Sequence, residues 1–250
     1  MSACEELYSK GNRTCFGSKY AVISILALSL AVFTGPVSQA TIAIQSALAL
    51  DTVVYADGYY DNPSGLRQFG GARSDMESAD PQIRDGQWSI MRVAITPNTI
   101  RNPGDGSFAE IGWAKDPTRL GTSRCVYASW QTTRGTYDSK IFTDTCLTDF
   151  ATHDYRVAVK NNNPTQWSFI FDGVVKHALD TGFSRGQEVG CGGEAYSPQN
   201  AIGIAACWNV RYKSNDLTTW IPIPSHQYRI SSGYWVHDLS ANSWQVGGNN

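Results

Sequence analysis

Beyond its first forty residues the chain has four glutamates, Glu77, Glu110, Glu188 and Glu194. Glu110 sits within Phe108-Ala109-Glu110-Ile111-Gly112-Trp113, a run that otherwise reads as a β-strand. A carboxylate among Phe, Ile and Trp faces water, pairs with a polar group, or does chemistry. Glu194 follows Cys191-Gly192-Gly193, and glycines inside a strand let a second backbone or a substrate come close. Brought together, two such carboxylates could divide general-acid and general-base roles between them. The plainer reading puts both on the solvent face of a sheet.

Other groupings carry less. Gly182-Phe183-Ser184-Arg185-Gly186 has the letters of a nucleophile elbow, but that turn needs a following helix and its surroundings are β-rich. His153, His177, His226 and His237 are scattered, and no CxxC or HExxH spacing marks a metal site. No metal and no cofactor is therefore expected. Gln131 and Gln187, near strand ends, are candidate oxyanion partners.

The elements that must position these residues are short strands. Gln87 to Ile95, Phe108 to Ala114, Cys125 to Trp130, Tyr155 to Val159 and Trp167 to Phe171 alternate apolar and polar residues. Ile202 to Tyr212 alternates over its whole length, which puts Ile202, Ile204, Ala206, Trp208, Val210 and Tyr212 on one face. Gly, Pro, Asn and Asp fall between the runs, and no amphipathic helix is evident. This pattern predicts an all-β fold, an antiparallel sandwich of two facing sheets of the concanavalin or glucanase-like jelly-roll kind. The chain's 29 aromatic residues supply ample core.

Residues 1–40 read as a secretory signal peptide. Lys10, Arg13 and Lys19 precede the apolar run Tyr20 to Phe33, and Ser38-Gln39-Ala40 offers a cleavage site. The run is shorter than the roughly 20 residues of a membrane span, so the mature protein is expected outside the cell with no membrane association. Residues 41–65 then form a lead-in strand or a linker, and residues 66–250 the sandwich domain. Taking the leader's three basic and two acidic residues from the chain's 20 and 22 leaves a net charge of −3. Nothing in that balance attracts nucleic acid. Cys125, Cys146, Cys191 and Cys207 remain, an even number that reads as two disulfides with three possible pairings. The oligomeric state is not fixed by the sequence.

In several ordered blocks over about residues 69 to 212 the chain resembles the neprosin family of glutamic peptidases. Phe69 to Ile95 is similar to that domain's opening, and Arg124 to Trp130 to its Arg-to-Trp strand. Ala109-Glu110-Ile111-Gly112-Trp113 resembles the family's Ile-Glu-Ala-Gly-Trp block, and Gly192-Gly193-Glu194-Ala195 its Gly-Gly-Glu-Val block. The resemblance implies that Glu110 and Glu194 are catalytic and that the substrate is a polypeptide. Trp113, Trp130, Gly193 and Glu188 are the candidate cleft residues. The 21-residue separation of Cys125 and Cys146 departs from the family pattern, and Asp154 to Val175 instead resembles lectin-like sandwich modules.

If the two glutamates face each other, repulsion and burial should make them share one proton. The ionised member would activate water and the protonated one would donate to the carbonyl oxygen or leaving amine, most effectively at acidic pH. Glu188 lies six residues from Glu194, so either Gly190 to Gly193 holds a bulge or Glu188 shares the cleft. The rival readings are a non-catalytic glycan-binding or surface module, and a glycosidase, for which Asp75-Met76-Glu77 is the nearest carboxylate pair.

Overall fold

A computed structural model describes residues 53–84, 86–98, 106–148 and 150–249. The expected signal peptide lies outside the described residues. The strands are β1 (Val54–Asp61), β2 (Gly71–Glu77), β3 (Ser89–Thr96), β4 (Phe108–Lys115), β5 (Arg124–Gln131), β6 (Tyr137–Leu147), β7 (Thr152–Lys160) and β8 (Asn163–Phe171). They continue as β9 (Val174–Asp180), β10 (Glu188–Ala195), β11 (Ile202–Lys213), β12 (Trp220–Pro222), β13 (Gln227–Ile230), β14 (Tyr234–Ser240) and β15 (Ser243–Gly248). One short helix, α1 (Pro117–Leu120), links β4 to β5; Asp116 caps it by accepting from the N–H groups of Thr118 and Arg119.

These strands form an antiparallel β-sandwich. A seven-stranded sheet runs β13-β1-β10-β3-β4-β5-β6, and an eight-stranded sheet runs β14-β15-β11-β2-β7-β8-β9. β1 lies inside the first sheet, paired along its length with β10 and on its other side with β13. The domain therefore starts by Val54 and not at residue 66. Few apolar residues alternate in VYADGYYD, which hid the strand from a periodicity reading.

The core fills the space between the sheets, as it must when each strand buries alternate residues. Met91, Val93, Ile95, Ile111, Trp113, Val126 and Trp130 from one sheet meet Met76, Tyr155, Val157, Trp167, Phe169 and Trp244 from the other. Each deeply buried indole finds a partner: Trp113 Nε1 donates to the Glu77 carbonyl at 3.0 Å, Trp167 Nε1 to Phe183 at 2.8 Å and Trp244 Nε1 to Cys191 at 3.1 Å. Trp113 and Trp130 are thus core residues and do not line a cleft.

Strand β11 departs from the expected alternation. Its register shifts between Ile202 and Ala205 and again between Trp208 and Arg211, where Asn209 has a φ of 53°. Each irregularity re-phases the side chains. Ile202, Ala205, Cys207 and Val210 therefore enter the core, while Ile204 is exposed.

Two disulfides pair neighbours in sequence. Cys125–Cys146 links β5 to the edge strand β6, and Cys191–Cys207 crosses the core from β10 to β11. They fit an oxidising compartment. Among the described residues no helix is long and apolar enough to cross a membrane. Replacing Cys191 and Cys207 together by alanine should cost about 3 kcal/mol of stability, the loop-closure value for their 16-residue separation. Urea unfolding of the two proteins measures the difference.

Candidate active site

Glu110, Glu188 and Glu194 lie on the face of the seven-stranded sheet that turns away from the core. Strands β10, β3 and β4 are hydrogen-bonded side by side, so Gly192, Arg92 and Gly112 stand in one row. Arg92 is flanked by a glycine on each neighbouring strand, and its side chain is almost wholly buried. A Cβ at Gly192 would sit 2.3 Å from the Asp57 Cβ, and one at Gly112 2.8 Å from the Arg92 Cα. Neighbouring strands come too close at both glycines to admit a side chain, and the two bare positions flank Arg92 as a trough.

Glu194 and Glu110 approach that trough from opposite diagonals. Arg92 Nε donates to Glu194 Oε1 at 2.7 Å and lies 3.2 Å from Glu110 Oε2. The two carboxylate oxygens are therefore no more than about 6 Å apart, the sum of those contacts. Arg92 Nη2 also contacts Glu194, and it reaches Asp57 Oδ2 at 3.3 Å. On the other side of Glu110, the Tyr127 hydroxyl donates to Oε1 at 3.2 Å.

A second arginine extends the network. Arg229 of β13 donates from Nε to Asp57 Oδ1 at 3.1 Å and from Nη2 to Glu188 Oε1 at 2.7 Å. Its guanidinium covers the Tyr59 ring, with 4.8 Å to the centroid. Strand β10 pairs without a register shift against both neighbours. No bulge separates Glu188 from Glu194, so both belong to this face. Gly193 points the other way: a Cβ there would lie 2.2 Å from Ile202 Cγ2. Gly193→Ala should overpack the core by about 1–3 kcal/mol while leaving the site's ion pairs intact. Thermal unfolding checks the cost, and an unchanged stability would put position 193 in open space.

Charge sets the protonation pattern. Burial opposes ionisation of Arg92, but the carboxylates of Glu194, Glu110 and Asp57 outweigh it and raise its pKa well above the usual arginine value. Burial, and then the charge of Glu110, push the Tyr127 phenol far up. Burial and then Glu194 raise Tyr55. A guanidinium stands between Glu110 and Glu194 and offsets the repulsion of the two carboxylates.

Glu188 is a carboxyl pushed up by its surroundings. Burial raises its pKa to about 7 against the pull of Arg229, helped by Asp61 and Asp57. Asp61 is its direct cross-strand partner. With its ordinary value near 4.5, Glu188 contributes stability that is fully present below about pH 4.5 and is lost as pH rises through about 7. Glu188→Gln should flatten that fall, and unfolding free energies between pH 4 and 8 would reveal it. A slope unchanged in the variant would contradict the assignment.

Gly182 to Gly186 connects β9 to β10, and a strand follows it instead of the helix a nucleophile elbow requires. His153 pairs with Asp172, His177 packs between Trp130 and Phe169, and His226 contacts Asp238, all away from this face. Glu77 accepts from Trp208 Nε1 and the Ala206 N–H, which commits it to holding β2 against β11. Asp57, Arg92, Tyr127 and Arg229 were not identified from the sequence. Arg92 carried the same signal as Glu110, a charge inside an apolar strand.

Solved structures supply a comparison. Scytalido-glutamic peptidase, bound to a transition-state analog inhibitor, superposes with a TM-score of 0.54 at 8% identity, over 77% of this chain and 97% of its own. SCP-B, a member of the eqolisin family of peptidases solved with the tripeptide Ala-Ile-His, gives 0.50 at 8% identity over 78% and 96%. The chain shares the fold of glutamic peptidases. At this identity the likeness is one of fold. No family model matches the sequence, and no curated protein does. The resemblance to the neprosin family therefore stands on its sequence motifs.

Proposed function

We propose that the protein is an exported glutamic endopeptidase, hydrolysing peptide bonds at acidic pH with Glu110 and Glu194. The observation that supports this best is the convergence of the two carboxylates on Arg92, on the coreless face of a sheet in a glutamic-peptidase fold. Solved relatives in fold hold a transition-state analog and a tripeptide, which is consistent with a polypeptide substrate.

The chemistry follows from the charge count. Asp57, Glu110 and Glu194 surround one guanidinium, with Arg229 shared between Asp57 and Glu188. Carboxylates outnumber cations, so falling pH adds a proton to the group. An ionised glutamate activates water, and the protonated one donates to the carbonyl oxygen or the departing amine. At higher pH the proton is lost and the acid with it. Glu110→Gln and Glu194→Gln should each lower kcat/KM by about 10²–10⁴-fold, measured on a denatured protein substrate at acidic pH.

A second reading has its own support. Arg92 compensates both glutamates, and Glu194 is 2% exposed, an arrangement that also suits a non-catalytic sandwich module binding glycan or peptide. Folded glutamine variants that bind such ligands as well as the parent, with no cleavage by either protein, would favour it.

A further inference from the structure

The outer face carries an apolar feature beside its carboxylates. Ile90, Ala114 and Tyr127 form a buried cluster separate from the inter-sheet core, with Trp88 and Ile141 packed on its margin. Register makes them neighbours of the site. Ile90 pairs with Ala114 on one side and Glu194 on the other, and Tyr127 stands between Gly112 and Ile141. Solvent-facing positions of an antiparallel sheet are ordinarily polar. An apolar patch recessed in a cleft marks a binding surface.

Glu110 lines the same cleft, which is open to solvent at its mouth. Asp116 and Arg119, at the start of α1, form part of its rim. Among the described residues lining it, Glu110 and Asp116 are acidic and Arg119 alone is basic, and Arg119 lies 3.4 Å from Asp116. Charge disfavours an acidic occupant, and the apolar walls disfavour desolvating any ionised one.

The geometry points to this cleft as the subsite for an aromatic or branched apolar side chain of the polypeptide substrate, next to the bond presented to Glu110. The inference rests on the peptidase reading and names its substrate class. The side chain packs against Trp88 and Ile90 on the sheet and against Ile141 from the edge strand β6. Trp88 and Ile141, on the cluster's margin, take no part in the Arg92 network, so binding and chemistry can be separated by mutation at those two positions.

Two measurements on the full protein test it. Digestion of a mixed peptide library should give cleavage sites with aromatic or branched apolar residues enriched at one position flanking the bond. N-acetylated tripeptides differing only in a central phenylalanine, leucine, alanine or aspartate would then be titrated while the indole N–H resonance of Trp88 is followed. Phenylalanine and leucine should bind at least about tenfold tighter than aspartate. Ile141→Asp, on a half-buried edge position, should erase that preference, with Trp88→Ala as a second variant should the first not fold. Tripeptides that bind alike, or shifts that map away from the cleft, would overturn the subsite. Selective binding at Trp88 with no cleavage would uphold the subsite and reject the peptidase reading.

Discussion

Arg92→Gln should destabilise the fold by about 3–5 kcal/mol at neutral pH, the cost of leaving buried charges without their partner. The side chains of Asp57, Glu110 and Glu194 are 0%, 7% and 3% exposed, and all three reach the same guanidinium. Glutamine keeps some hydrogen-bonding capacity but no charge, so three carboxylates would crowd a site with too little water to screen them. Without the guanidinium the three ionised carboxylates repel one another, and adding protons at low pH relieves that repulsion. The deficit of the variant should therefore shrink as pH falls. Urea unfolding at several pH values measures both the size and the trend. A loss below about 1 kcal/mol, the size of an exposed pair, would show that water reaches the cluster.

Starting the protein at residue 66 should abolish cooperative folding, whereas starting it at residue 41 should not. Strand β1 pairs with β10 and β13 at once, so its removal strips backbone hydrogen bonds from both. It also takes Asp57 from Arg92 and Arg229. Gly58 goes with it, the position where Trp244 packs so closely that an added Cβ would lie 2.4 Å from the indole. Near-ultraviolet circular dichroism and amide dispersion in NMR spectra distinguish the two proteins. A shortened chain with the parent's unfolding midpoint would make β1, and the pairing of Asp57 with Arg92 and Arg229, dispensable for the fold.

What could be read from the sequence was whatever repeats on a local scale. Strands β3, β4, β5 and β8 were legible because the residues they send into the core recur at every second position, and period two records that recurrence. Glu110 and Glu194 stood out as charges in apolar or glycine-rich strands, and the structure brings them to one arginine. Arg92 gave the same local signal. Its role was not legible because it depends on the row Gly192-Arg92-Gly112, set by strand order and register across distant segments. Trp113 and Gly193 show the converse error. Each neighbours a site residue in the chain, but odd and even positions of a strand face opposite ways. Asp57 and Arg229 sit on strands too short of apolar alternation to be recognised, and their meeting needs β1 and β13 to pair across 172 residues of chain.

The decisive measurement is cleavage of a denatured protein from about pH 2.5 to 7 by the folded, disulfide-intact protein, beside Glu110→Gln and Glu194→Gln. Chelator and serine-peptidase inhibitors would be run in parallel. Acid-favoured cleavage that either substitution abolishes and no inhibitor touches is the expected result. A folded protein that cleaves nothing at any pH, or whose cleavage survives both substitutions, would contradict a glutamic dyad.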